Sequence, residues 1–218
     1  MARRFRLLVF DWDGTLMDSA QAIVESLKAA CRDLEVIEPT DERAQHVIGL
    51  GWRDALGYAV PSLEPHRYEQ LLERYRHHWR QLDLGTTLFA GVAEALADLR
   101  ASGFLLAVAT GKSRRGLARA LDATGIGHLL HATRCADESS PKPDPQMLFD
   151  LMHTLDASAE ETLMIGDTTH DLQMARNAGV AALAVAYGAH PRTPLLELTP
   201  LDCVDCFGDL KAWLDRHA

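Results

Sequence analysis

The chain has 218 residues, of which 47% are hydrophobic and 24% charged, as is usual for one globular domain or a domain with a modest insertion. The formal net charge of −9 argues against a nucleic-acid-binding protein, because the chain has no excess positive charge to attract phosphates. No apolar stretch approaches the roughly 20 residues of a membrane span, and four cysteines are too few for a disulfide scaffold. These features predict a cytoplasmic protein that binds neither nucleic acid nor a membrane.

The first quarter of the chain predicts one strand followed by helices. The apolar run Leu7–Phe10 is typical of a buried strand. No strand pattern occurs from Ser19 to Asp83, where apolar residues recur at helical spacing around residues 22–31, 41–48, 53–58 and 65–82. We therefore expect a helical cap domain at residues 18–83, in which Asp18 or Ser19 caps the first helix.

From Gly91 onward the pattern alternates between helices and strands. Helical patterns cover residues 92–100, 114–123, 145–155, 169–178 and 210–216, and strand patterns cover residues 104–109, 132–135, 162–165 and 181–186. Such alternation indicates a parallel sheet with helices on both faces. The predicted fold class is α/β, with a Rossmann-like core formed by residues 1–17 and 84–218 and the helical cap inserted after the first strand.

Two carboxylates stand at the end of the first predicted strand. Asp11 and Asp13 are two residues apart, so in an extended chain they would lie on the same face and repel each other unless a cation or a proton is present. Gly14 permits a sharp turn or a close approach to a ligand, and Thr15 adds a hydroxyl. The pattern favours metal-assisted phosphoryl chemistry over a structural role.

Three later segments place polar groups beyond the carboxyl ends of other strands, where parallel sheets bind ligands. Thr110 and Gly111 follow one strand, Lys142 lies in a proline-rich loop, and Asp167 and Asp171 follow another strand. Taken alone, Asp171 would be explained best as a helix cap and Lys142 as a solvated lysine. Taken as an ordered set with the first acidic pair, these residues favour a catalytic site.

These motifs, Asp11–Thr15, Thr110, Lys142 and 166–171, resemble those of the haloacid dehalogenase superfamily, and in particular its phosphatases with a helical cap after the first strand. The resemblance covers nearly the whole chain and is greatest to phosphoglycolate phosphatase-like members. It implies that Asp11 is the nucleophile that forms an aspartyl-phosphate, and that Asp13 is the general acid and base.

The same resemblance implies a Mg²⁺ ion held by Asp11, Asp167 and the backbone carbonyl of Asp13, with Asp171 supporting it directly or through another ligand. Thr110 and Lys142 would hold the phosphoryl oxygens, with Gly111 beside them in the substrate site.

A helical cap implies a small phosphorylated metabolite as substrate, because closure over the site leaves little room. Phosphoglycolate is the first candidate, followed by a sugar phosphate or a nucleoside monophosphate. Arg53, in a glycine-containing loop between cap helices, would either meet a substrate carboxylate or remain a surface arginine. We expect a monomer or a homodimer.

Three alternatives differ in their sequence requirements. A dehalogenase would need no second acid, so Asp13 argues against it. A phosphomutase of the β-phosphoglucomutase type would resemble D-x-D-G-V, where this chain has Thr15, and a non-catalytic scaffold would tolerate loss of the acidic residues, which are all present. Phosphatase is therefore the preferred prediction, with mutase second and scaffold third.

Three other features receive structural interpretations. His170 is expected to face outward, since magnesium prefers oxygen ligands. The basic cluster that begins at Lys112 is interpreted as a solvated helix start. Cys203 and Cys206 are interpreted as packing thiols, since no partner pair for zinc is present.

Overall fold

The computed structural model describes residues 4–218, apart from the side chain at position 84. Its main sheet has six strands, all paired in parallel, in the order β5-β4-β1-β6-β7-β8. These strands are β1 (Leu7–Phe10), β4 (Leu105–Thr110), β5 (Ala132–Cys135), β6 (Thr162–Gly166), β7 (Ala181–Val185) and β8 (Cys203–Val204). Two short strands, β2 (Met17–Asp18) and β3 (Thr87–Leu88), form a separate antiparallel pair.

Helices cover both faces of the main sheet, because each central strand is apolar on both sides. In β1, Leu8 and Phe10 belong to one hydrophobic cluster and Leu7 and Val9 to another. The helices that follow β3 are α5 (Val92–Ala101), α6 (Arg114–Thr124), α7 (Gln146–Leu155), α8 (Thr169–Asn177), α9 (Arg192–Glu197) and α10 (Phe207–His217). The α/β prediction is thus confirmed.

A separate group of helices lies between β2 and β3. Its members are α1 (Ala20–Asp33), α2 (Asp41–His46), α3 (Trp52–Ala59) and α4 (Tyr68–Leu82), with a 3₁₀ turn at Pro65–Arg67. They enclose a hydrophobic cluster of their own, to which α1 contributes Val24 and Leu27 and α4 contributes Leu71. The helical segment was predicted from this spacing of apolar residues. The domain boundaries at residues 18 and 84 stay a prediction, and residues 1–3 lie outside the described part.

Four elements were not predicted. Strands β2, β3 and β8 have two residues each, too few to show an alternating pattern, and α9 has only six residues. In addition, α10 begins three residues before the predicted start, at Phe207. Within residues 4–218, no helix has the length and apolarity needed to cross a membrane.

The topology brings three strand ends together. Strand β1 lies between β4 and β6, and the order of the strands along the chain reverses there. In open parallel sheets, the crevice beyond such a reversal is where ligands bind. The residues after β1, at the end of β4 and after β6 are Asp11, Thr110 and Asp167.

Candidate active site

Three aspartates form a buried cluster beyond the carboxyl ends of β1 and β6. Asp11 follows β1, Asp167 follows β6, and Asp171 lies in the first turn of α8. Each offers a carboxylate oxygen within 4.8 Å of the others, and each is at most 1% exposed. Three buried carboxylates at this separation repel one another strongly unless a cation lies among them.

Lys142 supplies one positive charge to this aspartate cluster. Its Nζ atom lies 2.7 Å from Asp11 Oδ1 and 2.6 Å from Asp171 Oδ1, and the side chain is fully buried. The loop between β5 and α7 carries this lysine inward. The other oxygen of Asp11, Oδ2, is buried and has no hydrogen-bond partner within residues 4–218. The alternative that applied to Lys142 taken alone, a solvated lysine, is therefore excluded, and the contact with Asp11 agrees with the prediction made from the ordered set.

Burial and mutual repulsion control the protonation of these groups. Burial raises the pKa of Asp11 well above its ordinary value, although Lys142 opposes the shift. Burial and the charge of Asp171 raise the pKa of Asp167 to about 7. For Lys142, burial lowers the pKa, but Asp11 and Asp171 outweigh that effect and the net shift is upward. One ammonium therefore does not balance the three carboxylates, and a divalent cation that prefers oxygen ligands fits the remaining charge.

The carboxylate of Asp167 is held in one orientation. Thr15 Oγ1 donates to its Oδ1 at 2.7 Å, and the backbone N–H of Ala189 donates to its Oδ2 at 2.7 Å. Gly14 has a φ of +82°, and a Cβ at that position would collide with the same carboxylate. The sharp turn predicted for this glycine is thus present, and the backbone approaches the Asp167 carboxylate closely; an approach to a ligand stays a prediction. Such supporting contacts are typical of carboxylates that hold a metal ion.

Asp13 points to different partners from Asp11. Its Oδ1 accepts a hydrogen bond from Ser19 Oγ at 2.6 Å and lies 2.9 Å from Lys112 Nζ. The chain turns after Asp11, where Leu16 N–H bonds to the carbonyl of residue 12, so the two carboxylates do not lie on one extended strand as expected. Asp11 pairs with Lys142, whereas Asp13 pairs with Lys112.

Two sequence interpretations need correction at Asp13. Ser19 stands at the N-cap position of α1, but its side chain makes no capping bond and binds Asp13 instead. Lys112 is not a solvated residue at a helix start, since it pairs with Asp13 and its Nζ lies 4.5 Å from the centre of the Trp79 ring. The fold brings Trp79, in α4, next to this lysine, and local sequence gives no signal for that contact.

Thr110 and Gly111 lie where β4 leaves the sheet. Thr110 is fully buried, and its Oγ1 accepts a hydrogen bond from the backbone N–H of Lys112 at 3.1 Å. A Cβ at Gly111 would lie 2.6 Å from the carbonyl oxygen of Gly49, so only glycine lets this loop approach the segment between α2 and α3. Arg53 is exposed on α3, with its guanidinium carbon 4.6 Å from the centre of the Trp52 ring.

Asp171 has a structural function as well as its place in the cluster. Its Oδ2 accepts from the backbone N–H of Thr168 at 3.1 Å, and its own N–H bonds to the Thr168 hydroxyl, which forms a capping box at the start of α8. The helix-cap interpretation is thus confirmed for this residue. The remaining oxygen, Oδ1, faces Lys142.

His170 does not face outward as predicted. Its Nε2 atom lies 2.7 Å from the backbone carbonyl oxygen of His46 in α2, and His190 Nε2 lies 3.1 Å from the same oxygen. Burial lowers the pKa of His170. Burial and the charge of His170 together lower the pKa of His190 to about 4. Packing between α2 and the start of α8, which sequence spacing does not reveal, encloses the imidazole. The thiol prediction is confirmed for Cys203, which is buried, whereas Cys206 is exposed.

A cavity of about 830 Å³ lies between the helices α1–α4 and the carboxyl end of the sheet. Asp13, Gly111 and Arg53 all line it, so the cavity reaches from Asp13 to the predicted recognition arginine. Its size is within the range of roughly 300–1,000 Å³ found for small-molecule sites.

Comparison with known proteins agrees with this geometry. The family model of the haloacid dehalogenase-like hydrolases matches residues 8–185. Over 210 residues the chain is 37% identical to the probable phosphatase IndB of Dickeya dadantii strain 3937, covering 94% of this chain and 91% of that protein. It is 30% identical to the phosphoglycolate phosphatase of Mannheimia succiniciproducens, and the match covers 96% of this chain and 98% of that protein.

The fold is also shared with solved structures. A predicted phosphoglycolate phosphatase from Haemophilus somnus 129PT superposes with a TM-score of 0.84 at 25% identity, with 96% of this chain and 98% of that chain covered. A hydrolase from Pseudomonas syringae superposes with a TM-score of 0.88 at 24% identity, covering 97% and 98% of the two chains. Because the family model spans most of its length and relatives of at least 30% identity match it almost end to end, this chain belongs to the haloacid dehalogenase-like hydrolases.

Proposed function

We propose that the chain is a Mg²⁺-dependent phosphatase that hydrolyses a small phosphomonoester through an aspartyl-phosphate. The observation that carries the proposal is the environment of Asp11. One carboxylate oxygen of this residue is paired with Lys142, while the other is buried without a partner at the point where the strand order reverses. A fold gains no stability from such a free oxygen, whereas an attacking nucleophile requires one.

Asp11 and Asp13 divide the reaction between them. In the first step, a carboxylate oxygen of Asp11 forms a bond to phosphorus, the bond to the alcohol oxygen breaks, and Asp13 gives that oxygen a proton. In the second step, Asp13 takes a proton from water as the water oxygen attacks phosphorus, and the bond to Asp11 breaks. Asp13 lines the cavity, as an acid that reaches a leaving group must.

Asp11, Asp167, the backbone carbonyl of Asp13 and, directly or indirectly, Asp171 would hold the metal ion. When bound, Mg²⁺ neutralises charge on the phosphoryl oxygens and on the nucleophile. Lys142 and Thr110 would bind phosphoryl oxygens as their charge shifts, with Gly111 forming part of the same wall.

The helices α1–α4 would act as the cap domain, within residues 18–83, and cover the substrate. One relative is named phosphoglycolate phosphatase and another probable phosphatase, which supports a small phosphorylated metabolite as substrate. We further propose a cytoplasmic location and a monomeric or homodimeric state.

Removal of metal is expected to stop phosphate release. With EDTA, kcat should fall by about 10³-fold, since a bound metal ion supplies several kcal/mol of charge stabilisation. Mg²⁺ should restore the activity, and Ca²⁺ should restore little because its coordination is larger and less regular. Phosphate release from phosphomonoesters, measured in EDTA, Mg²⁺ and Ca²⁺, is the experiment that tests the proposed function. Full activity in EDTA would contradict it.

Melting experiments test the metal site without any substrate. At a concentration about 100 times its Kd, Mg²⁺ should stabilise the protein by ~2.7 kcal/mol and raise its Tm by about 5–10 °C. Asp167→Asn should remove most of this increase, whereas Asp209→Asn, at an exposed position of α10, should retain it. An equal increase in both variants would place the ion elsewhere.

Asp13→Asn is expected to lower kcat by about 10²–10⁴-fold, because the amide can neither give nor take the two protons. The loss should be smallest for substrates with a good leaving group, such as 4-nitrophenyl phosphate, since these need no acid in the first step. Asp18→Asn, at an exposed position five residues away, is the matched control. A variant within a few-fold of the wild type on an alkyl phosphate would remove Asp13 from this role.

A further inference from the structure

The cavity of about 830 Å³ is far larger than a two-carbon phosphate ester requires, and its walls differ in character. The part formed by α1 and by the loop at residues 47–50 is apolar and includes Ile23, Leu27 and Ile48. A substrate as small as phosphoglycolate would leave this apolar wall in contact with water. Apolar walls of this kind stabilise a bound ligand only where the ligand covers them.

The opposite part of the cavity is basic, although the chain as a whole has a net charge of −9. Two exposed arginines of α4, Arg76 and Arg80, and two of α6, Arg115 and Arg119, line it, and they outnumber the one carboxylate beside them, Asp137. None of the four forms an ion pair with a carboxylate in the described part of the chain, whereas Arg74, on α4 but outside the cavity, pairs with Asp33.

The spacing of these arginines indicates that they bind an anion. Each helix carries its two arginines four residues apart, where like charges repel and destabilise the helix. Solvated surface arginines explain one such pair, but two pairs that line one cavity without acidic partners are better explained by a negatively charged ligand. The reacting phosphate does not meet this need, because it must lie beside Asp11, which does not line the cavity with the four arginines.

We propose that the substrate is a phosphomonoester whose organic part carries a ring and a second anionic group. The ring would cover the apolar wall, and the second anion would lie between the arginines of α4 and those of α6. The inference rests on the proposed phosphatase function and specifies its substrate class. Phosphoglycolate has a second anion but no ring. Ribose 5-phosphate has only a polar sugar ring, which would not cover an apolar wall, and it has no second anion.

Matched substrates separate the two requirements. Orotidine 5′-phosphate and uridine 5′-monophosphate differ by one carboxylate, and adenosine 3′,5′-bisphosphate and AMP differ by one phosphate. In at least one pair, the member with the second anion should have a kcat/KM about tenfold higher than its partner. A difference of about tenfold corresponds to the free energy of one hydrogen bond to a charged group. Both nucleoside monophosphates should exceed ribose 5-phosphate and phosphoglycolate by at least about tenfold, because their bases fill the apolar wall.

Arginine variants locate the second anion. Arg76→Gln and Arg119→Gln should each raise the KM of the preferred doubly anionic substrate about tenfold, with kcat and the KM of its singly anionic partner nearly unchanged. Arg74→Gln, on the same helix as Arg76 but outside the cavity, should change neither value. The inference is overturned if phosphoglycolate has the highest kcat/KM, if neither pair shows a preference, or if both cavity variants affect all substrates equally.

Equilibrium binding distinguishes failure of this inference from failure of the phosphatase proposal. Trp52 and Trp79 line the cavity, so quenching of tryptophan fluorescence in Asp11→Asn reports occupancy without turnover. If no substrate releases phosphate but the doubly anionic nucleotides still bind more tightly than phosphoglycolate, the phosphatase proposal is contradicted. The inference about the kind of ligand that the cavity binds is then retained. Equal binding of all these compounds would overturn the substrate class whether or not phosphate is released.

Discussion

Asp11→Asn is expected to lower kcat for every phosphomonoester by roughly 10⁴-fold or more, the scale of loss when a nucleophile is removed. The amide oxygen is too weak a nucleophile to attack phosphorus, and the amide cannot carry the charge that Lys142 and the metal ion neutralise. The change keeps the size of the side chain, which matters because Asp11 is 1% exposed. Phosphate release under saturating substrate and Mg²⁺ is the measurement.

Two controls isolate the chemical step in this experiment. Asp18→Asn removes a nearby but exposed carboxylate and should retain wild-type activity. The circular dichroism spectrum and Tm of Asp11→Asn should show a folded protein, so that loss of activity reflects loss of the nucleophile. In addition, rapid quenching of the wild type with a ³²P-labelled substrate should trap label on the protein, and Asp11→Asn should trap none. Near-native turnover by the variant would exclude the covalent mechanism.

Lys142→Met should have a large effect on stability as well as on activity. The methionine removes the cation that lies within 2.7 Å of both Asp11 and Asp171 and leaves a buried group of carboxylates unpaired. Breaking a buried ion pair by removing one partner costs ~3–5 kcal/mol, which corresponds to a decrease in Tm of about 6–20 °C for a chain of this size. We also expect kcat to fall by about 10²–10³-fold, because the variant loses a donor to the phosphoryl oxygens.

Urea denaturation of this variant with and without Mg²⁺ is informative, since the ion would replace part of the missing positive charge. The stabilisation by Mg²⁺ should therefore be larger in Lys142→Met than in the wild type. Lys211→Met is the matched control: Lys211 pairs with Asp215 on the surface of α10, and such a pair contributes at most about 1 kcal/mol. If the two lysine variants lost equal stability, the buried cluster would contribute little to the fold.

Much of the fold follows from local patterns. The alternation of apolar strands and amphipathic helices after residue 91 is a local property, and it predicted four of the six strands of the main sheet; the apolar run at Leu7–Phe10 predicted a fifth. The strand ends then predicted that Asp11, Lys142, Asp167 and Asp171 converge, because the carboxyl ends of parallel strands share one edge. The two-residue strands were missed, since a pattern of two residues has no measurable period.

The misjudged side chains have contacts that only the tertiary structure creates. Ser19 stands where a helix cap is expected, yet its hydroxyl bonds to Asp13 because a turn after β1 brings the two together. Lys112 and His170 were judged from sequence neighbours, whereas their partners, Trp79 and the carbonyl of His46, lie 33 and 124 residues away in sequence. The cavity likewise depends on how the helices α1–α4 lie over the carboxyl end of the sheet, for which local sequence has no signal.

The contact of Lys112 with Trp79 connects Asp13, the proposed acid and base, to the helices α1–α4. Any motion that carries α4 away from the sheet must withdraw the indole from above the ammonium, which then regains its hydration shell. Water around Lys112 would weaken its attraction to Asp13, because a higher dielectric reduces the interaction of charges at 2.9 Å. Asp13 would therefore be held firmly while a substrate is enclosed and loosely while product departs. The timing of proton transfer within a turnover would follow the position of one tryptophan.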